Sequence, residues 1–76
     1  MGLIMSKQID QLIIFQAVTI KEMAKIGQTR DAKTVVDATD DLQITMEDKI
    51  FKISSKEFEY DYFVPIENVR SYRVKK

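Results

Sequence analysis

Lys7-Gln8-Ile9-Asp10-Gln11-Leu12-Ile13-Ile14-Phe15-Gln16-Ala17-Val18-Thr19-Ile20-Lys21-Glu22-Met23-Ala24-Lys25-Ile26 is the stretch on which the fold turns. It admits two readings. On a helical wheel, Ile9, Leu12, Ile13, Ala17, Ile20, Met23 and Ala24 share one face, with Lys7, Asp10, Gln11, Lys21, Glu22 and Lys25 opposite. Ser6 stands where an N-cap belongs, and Gly27 follows where a glycine stops a helix. The alternative is an all-β chain with residues 11–20 as a strand, because Ile13, Ile14, Val18, Thr19 and Ile20 are β-branched. The caps and the Lys-Glu-Met-Ala-Lys-Ile-Gly ending favour a helix over residues 7–26. In that helix Ile14 and Val18 fall on the polar side beside Phe15, which makes either a wide buried stripe or a second contact surface.

After residue 32 the period drops to two. Thr34-Val35-Val36 starts a short strand, and Ala38-Thr39-Asp40-Asp41 reads as a turn. Leu42, Ile44 and Met46 alternate with polar residues, a tight turn at Asp48-Lys49 follows, and Ile50 to Ile53 makes the next strand. Phe58, Tyr60, Tyr62 and Val64 then alternate with Glu57, Glu59, Asp61 and Phe63. This pattern predicts an aromatic core face backed by an acidic one. Pro65 ends that strand, since proline cannot donate to a central ladder. Ile66-Glu67-Asn68-Val69 fits one 3₁₀ turn, and Ser71 to Val74 a last strand. The expected class is therefore α+β, a helix at 7–26 followed by a five-stranded, strongly bent antiparallel barrel over 33–75.

That arrangement resembles the SH3-like barrels, and the preceding helix resembles the Sm-like proteins among them. The residues that carry the resemblance are Phe58 to Val64, then Val64-Pro65-Ile66-Glu67-Asn68-Val69, then Tyr72-Arg73-Val74. Endings of this Val-Pro-x-x-Asn-Val kind also resemble small bacterial and phage proteins. The Sm-like resemblance implies single-stranded nucleic-acid binding on a ring of subunits. Leu42 to Glu47 carries no glycine to match the one in the family's bent second strand.

Seventy-six residues form one domain, 1–76, and a chain this short buries only about 60–65% of its unfolded surface. Without cysteine there is no disulfide, and without cysteine or histidine a structural zinc is not expected. Small scaffolds lacking such staples gain stability by self-association. The longest apolar run, Leu12 to Phe15, is far below the ~20 residues of a membrane span. Met1 to Met5 is too short for a signal-peptide core and reads as a flexible start. Met5-Ser6-Lys7 resembles an alternative translation start, with residues 1–4 as an extension. A cytoplasmic protein is expected, in the host cytoplasm if phage-encoded. Net charge is zero, yet residues 31–67 hold ten acidic and four basic groups, while residues 68–76 hold four basic and none acidic.

No pattern for catalysis emerges. The usual general base and thiol nucleophile are missing, and two glycines cannot build a phosphate loop. Glu57, Glu59 and Asp61 would sit about 6.5–7 Å apart along a strand. That spacing suits a solubilising face, or a partner-binding one, better than a hydrolytic pair. Asp37, Asp40 and Asp41 lack calcium-loop spacing and read as turn residues. No enzyme, metal or cofactor is expected. The leading expectation is a protein-binding or assembly module, a homo-oligomer, with Ile14, Phe15, Val18, Phe63, Glu59 and Asp61 at its contacts. The alternative is a single-strand nucleic-acid binder using Arg70, Tyr72, Arg73 and Lys75.

Overall fold

Strand β1 (Lys7–Ile9) passes through Asp10 into β2 (Gln11–Thr19), so the stretch expected as a helix is one long bent strand. The computed structural model describes residues 7–75, so the Ser6 cap and the flexible start at 1–5 lie outside the described residues. β3 (Ala32–Asp37), β4 (Gln43–Glu47), β5 (Ile50–Ser54), β6 (Tyr62–Pro65) and β7 (Val69–Arg73) follow. They make two antiparallel sheets, one ordered β1-β4-β5-β6 and the other β3-β2-β7. Neither sheet closes on itself. The expected N-terminal helix and five-stranded barrel are therefore both overturned. The β alternative for residues 11–20 describes β2 to within one residue.

The helical period was produced by strand irregularities. Ile9, Leu12 and Ile14 are buried, with a spacing of three across the Asp10 bend and of two beyond it. Between Ile13 and Val18 the pairing with β3 slips, and Phe15, Gln16 and Ala17 bulge outward. Val18 and Ile20 then return towards the core, Ile20 fully. A strand with one bend and one bulge can thus mimic spacings of three and four. Only the end of the segment is helical, a 3₁₀ helix over Lys21–Ile26. It stops at Gly27, which has φ 81° and donates its N–H to the Ala24 carbonyl at 3.2 Å.

β3, β4 and β5 lie where the alternation places them, and the two-residue turn between β4 and β5 holds Asp48 at φ 56°, a conformation aspartate tolerates. Residues 55–61, expected to open a long aromatic strand, form turns and bends instead. Tyr60, expected in the core, is 64% exposed. Phe58 still packs against the core, edge to face with Tyr62 at 5.8 Å between ring centres. Pro65 ends β6, and a second 3₁₀ helix (Ile66–Asn68) leads into β7.

The facing sides of the sheets share one apolar cluster. Ile44, Phe51, Ile53 and Val64 come from the first sheet, Leu12, Ile14 and Val36 from the second, and Ile20, Met23 and Leu42 from connections. Phe51 is fully buried and stacks at a tilt on Tyr72, 5.4 Å away, across the sheets. Phe51→Ala is expected to cost about 3–5 kcal/mol. Because a chain this size holds only about 4–11 kcal/mol in total, its urea transition should move to markedly lower denaturant. Gly27→Ala meets no neighbouring atom, so its expected cost of about 1–2 kcal/mol comes from the left-handed backbone alone. A urea titration of both variants checks the two figures.

Candidate interaction surface

Apolar side chains that remain outside the core are the raw material of a contact surface. Ile50 and Pro65 are cross-strand partners, as are Lys52 and Phe63. Period two puts Ile50, Lys52, Phe63 and Pro65 on the outer face of the first sheet, behind the buried Phe51 and Val64. Phe63 is 54% exposed, Ile50 36% and Ile66 43%. Ile66 adjoins them, since its N–H donates to the Lys49 carbonyl at 3.1 Å. The Lys52 ammonium, 3.6 Å from the Glu47 carboxylate, borders this patch. Apolar residues clustered on one face are less ordinary than the same residues scattered.

The other expected contact residues are dispersed. Ile14 points into the core and Val18 is half-buried against it, because the inward side of β2 replaces the outer side of a helix. Phe15 is 64% exposed at the tip of the bulge. That bulge is held by Asn68, whose side chain accepts from the Gln16 N–H at 2.8 Å and donates to the Gln16 carbonyl at 3.0 Å. Glu57, Glu59 and Asp61 lie outside any strand, so the regular carboxylate spacing expected for them is not present. Glu59 and Asp61 are both exposed. No group of acidic residues among those described is arranged to hold a metal ion.

Arg70, Tyr72, Arg73 and Lys75 are not all available to a phosphate backbone. The Arg73 guanidinium donates to the Asp10 carboxylate, at 2.8 Å from Nε and 2.6 Å from Nη2. Tyr72 lays its ring on Phe51 but keeps an exposed edge, while Arg70 and Lys75 are exposed. A hollow between Met23, Gln28, Lys33 and Leu42 holds about 50 Å³, and a wider, open one beside Ala17, Thr29, Arg30, Asp31, Ala32 and Thr34 holds about 520 Å³. Ligand clefts usually offer about 300–1,000 Å³; the first hollow falls short of that, and the second reaches it only as a shallow depression open to solvent. Among the described residues no helix is long and apolar enough to cross a membrane.

One polar constellation was not foreseen from the sequence. Glu22, on the first 3₁₀ helix, accepts hydrogen bonds from the Tyr62 hydroxyl and from the Glu59 N–H. Donation by Tyr62 and by the Glu59 backbone holds the Glu22 carboxyl below its ordinary value. The same bond, with desolvation and the Glu22 charge, pushes the Tyr62 hydroxyl up to about 12. These residues are 40 apart in sequence, and no spacing rule links them. The chain matches no protein-family model, no curated protein and no solved structure.

The Glu22–Tyr62 bond predicts stability losses at both ends of the pH scale. Protonation of Glu22 favours the unfolded chain, so its contribution is present above pH 4.5 and fades as pH falls through the lowered folded value. Tyr62 keeps its proton better when folded. Its contribution is present below pH 10.0 and fades as pH climbs towards about 12. Tyr62→Phe should remove that part of the alkaline loss, as urea midpoints measured from pH 8 to 12 will register.

Proposed function

We propose that this protein is a non-enzymatic protein-binding and assembly module that works as a homo-oligomer. The observation that supports this best is the apolar outer face at the end of β5 and β6, where Phe63, Ile50 and Ile66 are all substantially exposed. Burying such a face releases about 25 cal/mol for each Å² removed from water, the general driving force for association. The size of the chain favours the same reading. Seventy-six residues without cysteine have few other ways to add buried area. A phosphate-binding reading has less support, because Arg73 is already engaged by Asp10.

Light scattering coupled to gel filtration tests this proposal. At about 100 µM, a concentration that populates weak oligomers, the expected mass is a multiple of the 8.9 kDa chain. Ile50→Thr combined with Ile66→Ser should lower that mass while leaving the circular dichroism of the sheets intact. A lone 8.9 kDa species at every concentration up to about 1 mM would sink the proposal.

A further inference from the structure

Which side of β6 is open follows from the ladder itself. In an antiparallel pair, successive residues alternate between bonding the neighbouring strand and facing away from it. The two-residue turn sets Glu47 opposite Ile50, and Ile66 donates to Lys49. With Phe51 opposite Val64 and Ile53 opposite Tyr62, the β6 residues bonded to β5 are Tyr62 and Val64. Phe63 and Pro65 therefore turn their backbone polar groups to the open edge of the sheet. Pro65 sits where its missing N–H removes no bond, as edge prolines do. Phe63 is left as the residue of β6 that offers both a donor and an acceptor outward.

This edge also lacks the usual charge protection. Natural edge strands are blunted by charged side chains, lysine above all. Among the described residues β1 has Lys7, β3 has Lys33 and Asp37, and β7 has Arg70 and Arg73. β6, Tyr62-Phe63-Val64-Pro65, has none.

We infer that a second copy of the chain docks along β6, antiparallel, with a two-fold axis at Phe63 that joins two four-stranded sheets into one of eight. This rests on the assembly reading above and names its geometry. Within β6, the register that sets Phe63 opposite the partner subunit's Phe63 exchanges both N–H···O=C bonds. A register that sets Phe63 opposite the partner subunit's Pro65 loses a donor on each side. The chosen register places the two phenyl rings side by side on the outer face, with Cα atoms about 5.5 Å apart. Aromatic pairs at that range are favourable. Charge agrees with a second copy. Lys52 lies one strand inward from Phe63, so the Cα atoms of the two lysines stand about 14 Å apart, and each ammonium is drawn towards its own Glu47 carboxylate.

Amide exchange followed by NMR on the wild-type chain tests this placement. The Phe63 amide should exchange fast at about 20 µM and slow markedly by about 1 mM, a range that spans weak association. Tyr62 and Val64, bonded within the sheet, should be protected throughout. Phe63→Lys should weaken association by roughly tenfold or more, through a lost aromatic pair and a new like-charge pair. If that variant misfolds, the wild-type exchange profile decides alone. Oligomers seen by light scattering while Phe63 exchange ignores concentration would overturn this geometry and leave the assembly reading standing. A monomer throughout would remove both.

Discussion

Asp10 is the point at which one strand leaves one sheet and enters the other, and the two-sheet arrangement depends on that crossing. Its N–H donates to the Arg73 carbonyl at 2.7 Å, and its carbonyl accepts the Ala38 N–H at 2.8 Å. Its carboxylate takes the Arg73 guanidinium. Magnitudes separate these contributions. The ion pair is largely exposed, and such pairs are worth about 0–1 kcal/mol. Backbone groups left unpaired at a partly buried bend would cost about 1–3 kcal/mol each. The crossing is therefore held mainly by its main chain. With β1 fixed to β4 and β2 fixed to β3 and β7, the inner faces meet over Phe51.

The bulge in β2 is a second consequence of serving two neighbours. β2 pairs with β7 as far as Ile14 opposite Val69, and resumes its pairing with β3 only at Val18. Asn68 fills the gap by presenting an amide to both backbone groups of Gln16. A side-chain amide has one donor and one acceptor side, so it substitutes for a residue of a neighbouring strand. Phe15 is turned outward by this irregularity, which gives its exposure a local backbone cause. Phe63 has no such cause, because β6 is regular where Phe63 sits. Its position follows from strand parity alone.

The part of the fold legible in the sequence is the part with unbroken alternation. Leu42 to Met46, Asp48-Lys49 and Ile50 to Ile53 could be read because nothing disturbs the period, and Pro65 and Gly27 because their backbones allow few alternatives. Residues 7–26 were illegible for a definite reason. A bend at Asp10 and a bulge at 15–17 convert a period of two into spacings of three and four. Residues 57–61 failed in the opposite sense, since their alternation is regular but no strand forms. Glu22 there takes the Glu59 N–H, a tertiary bond that overrides local preference. Phe63 was legible as an apolar residue on a polar face, whereas its outward backbone groups required the register.

An open edge with a phenylalanine on it invites indefinite stacking, so what limits growth matters as much as what starts it. An isologous contact uses the same surface on both copies and is closed once two have met. Pro65 reinforces the closure, because beyond Phe63 the edge offers a carbonyl without a matching N–H. Asp61 and Glu67 flank β6 on either side and disfavour extension of the ladder past its four residues. A pair joined at β6 would end its continuous sheet in β1 of each copy, which carries Lys7, while Lys33, Arg70 and Arg73 lie on the edges of the second sheet. In the proposed dimer, the lysine at each outer edge would therefore oppose growth into a fibre.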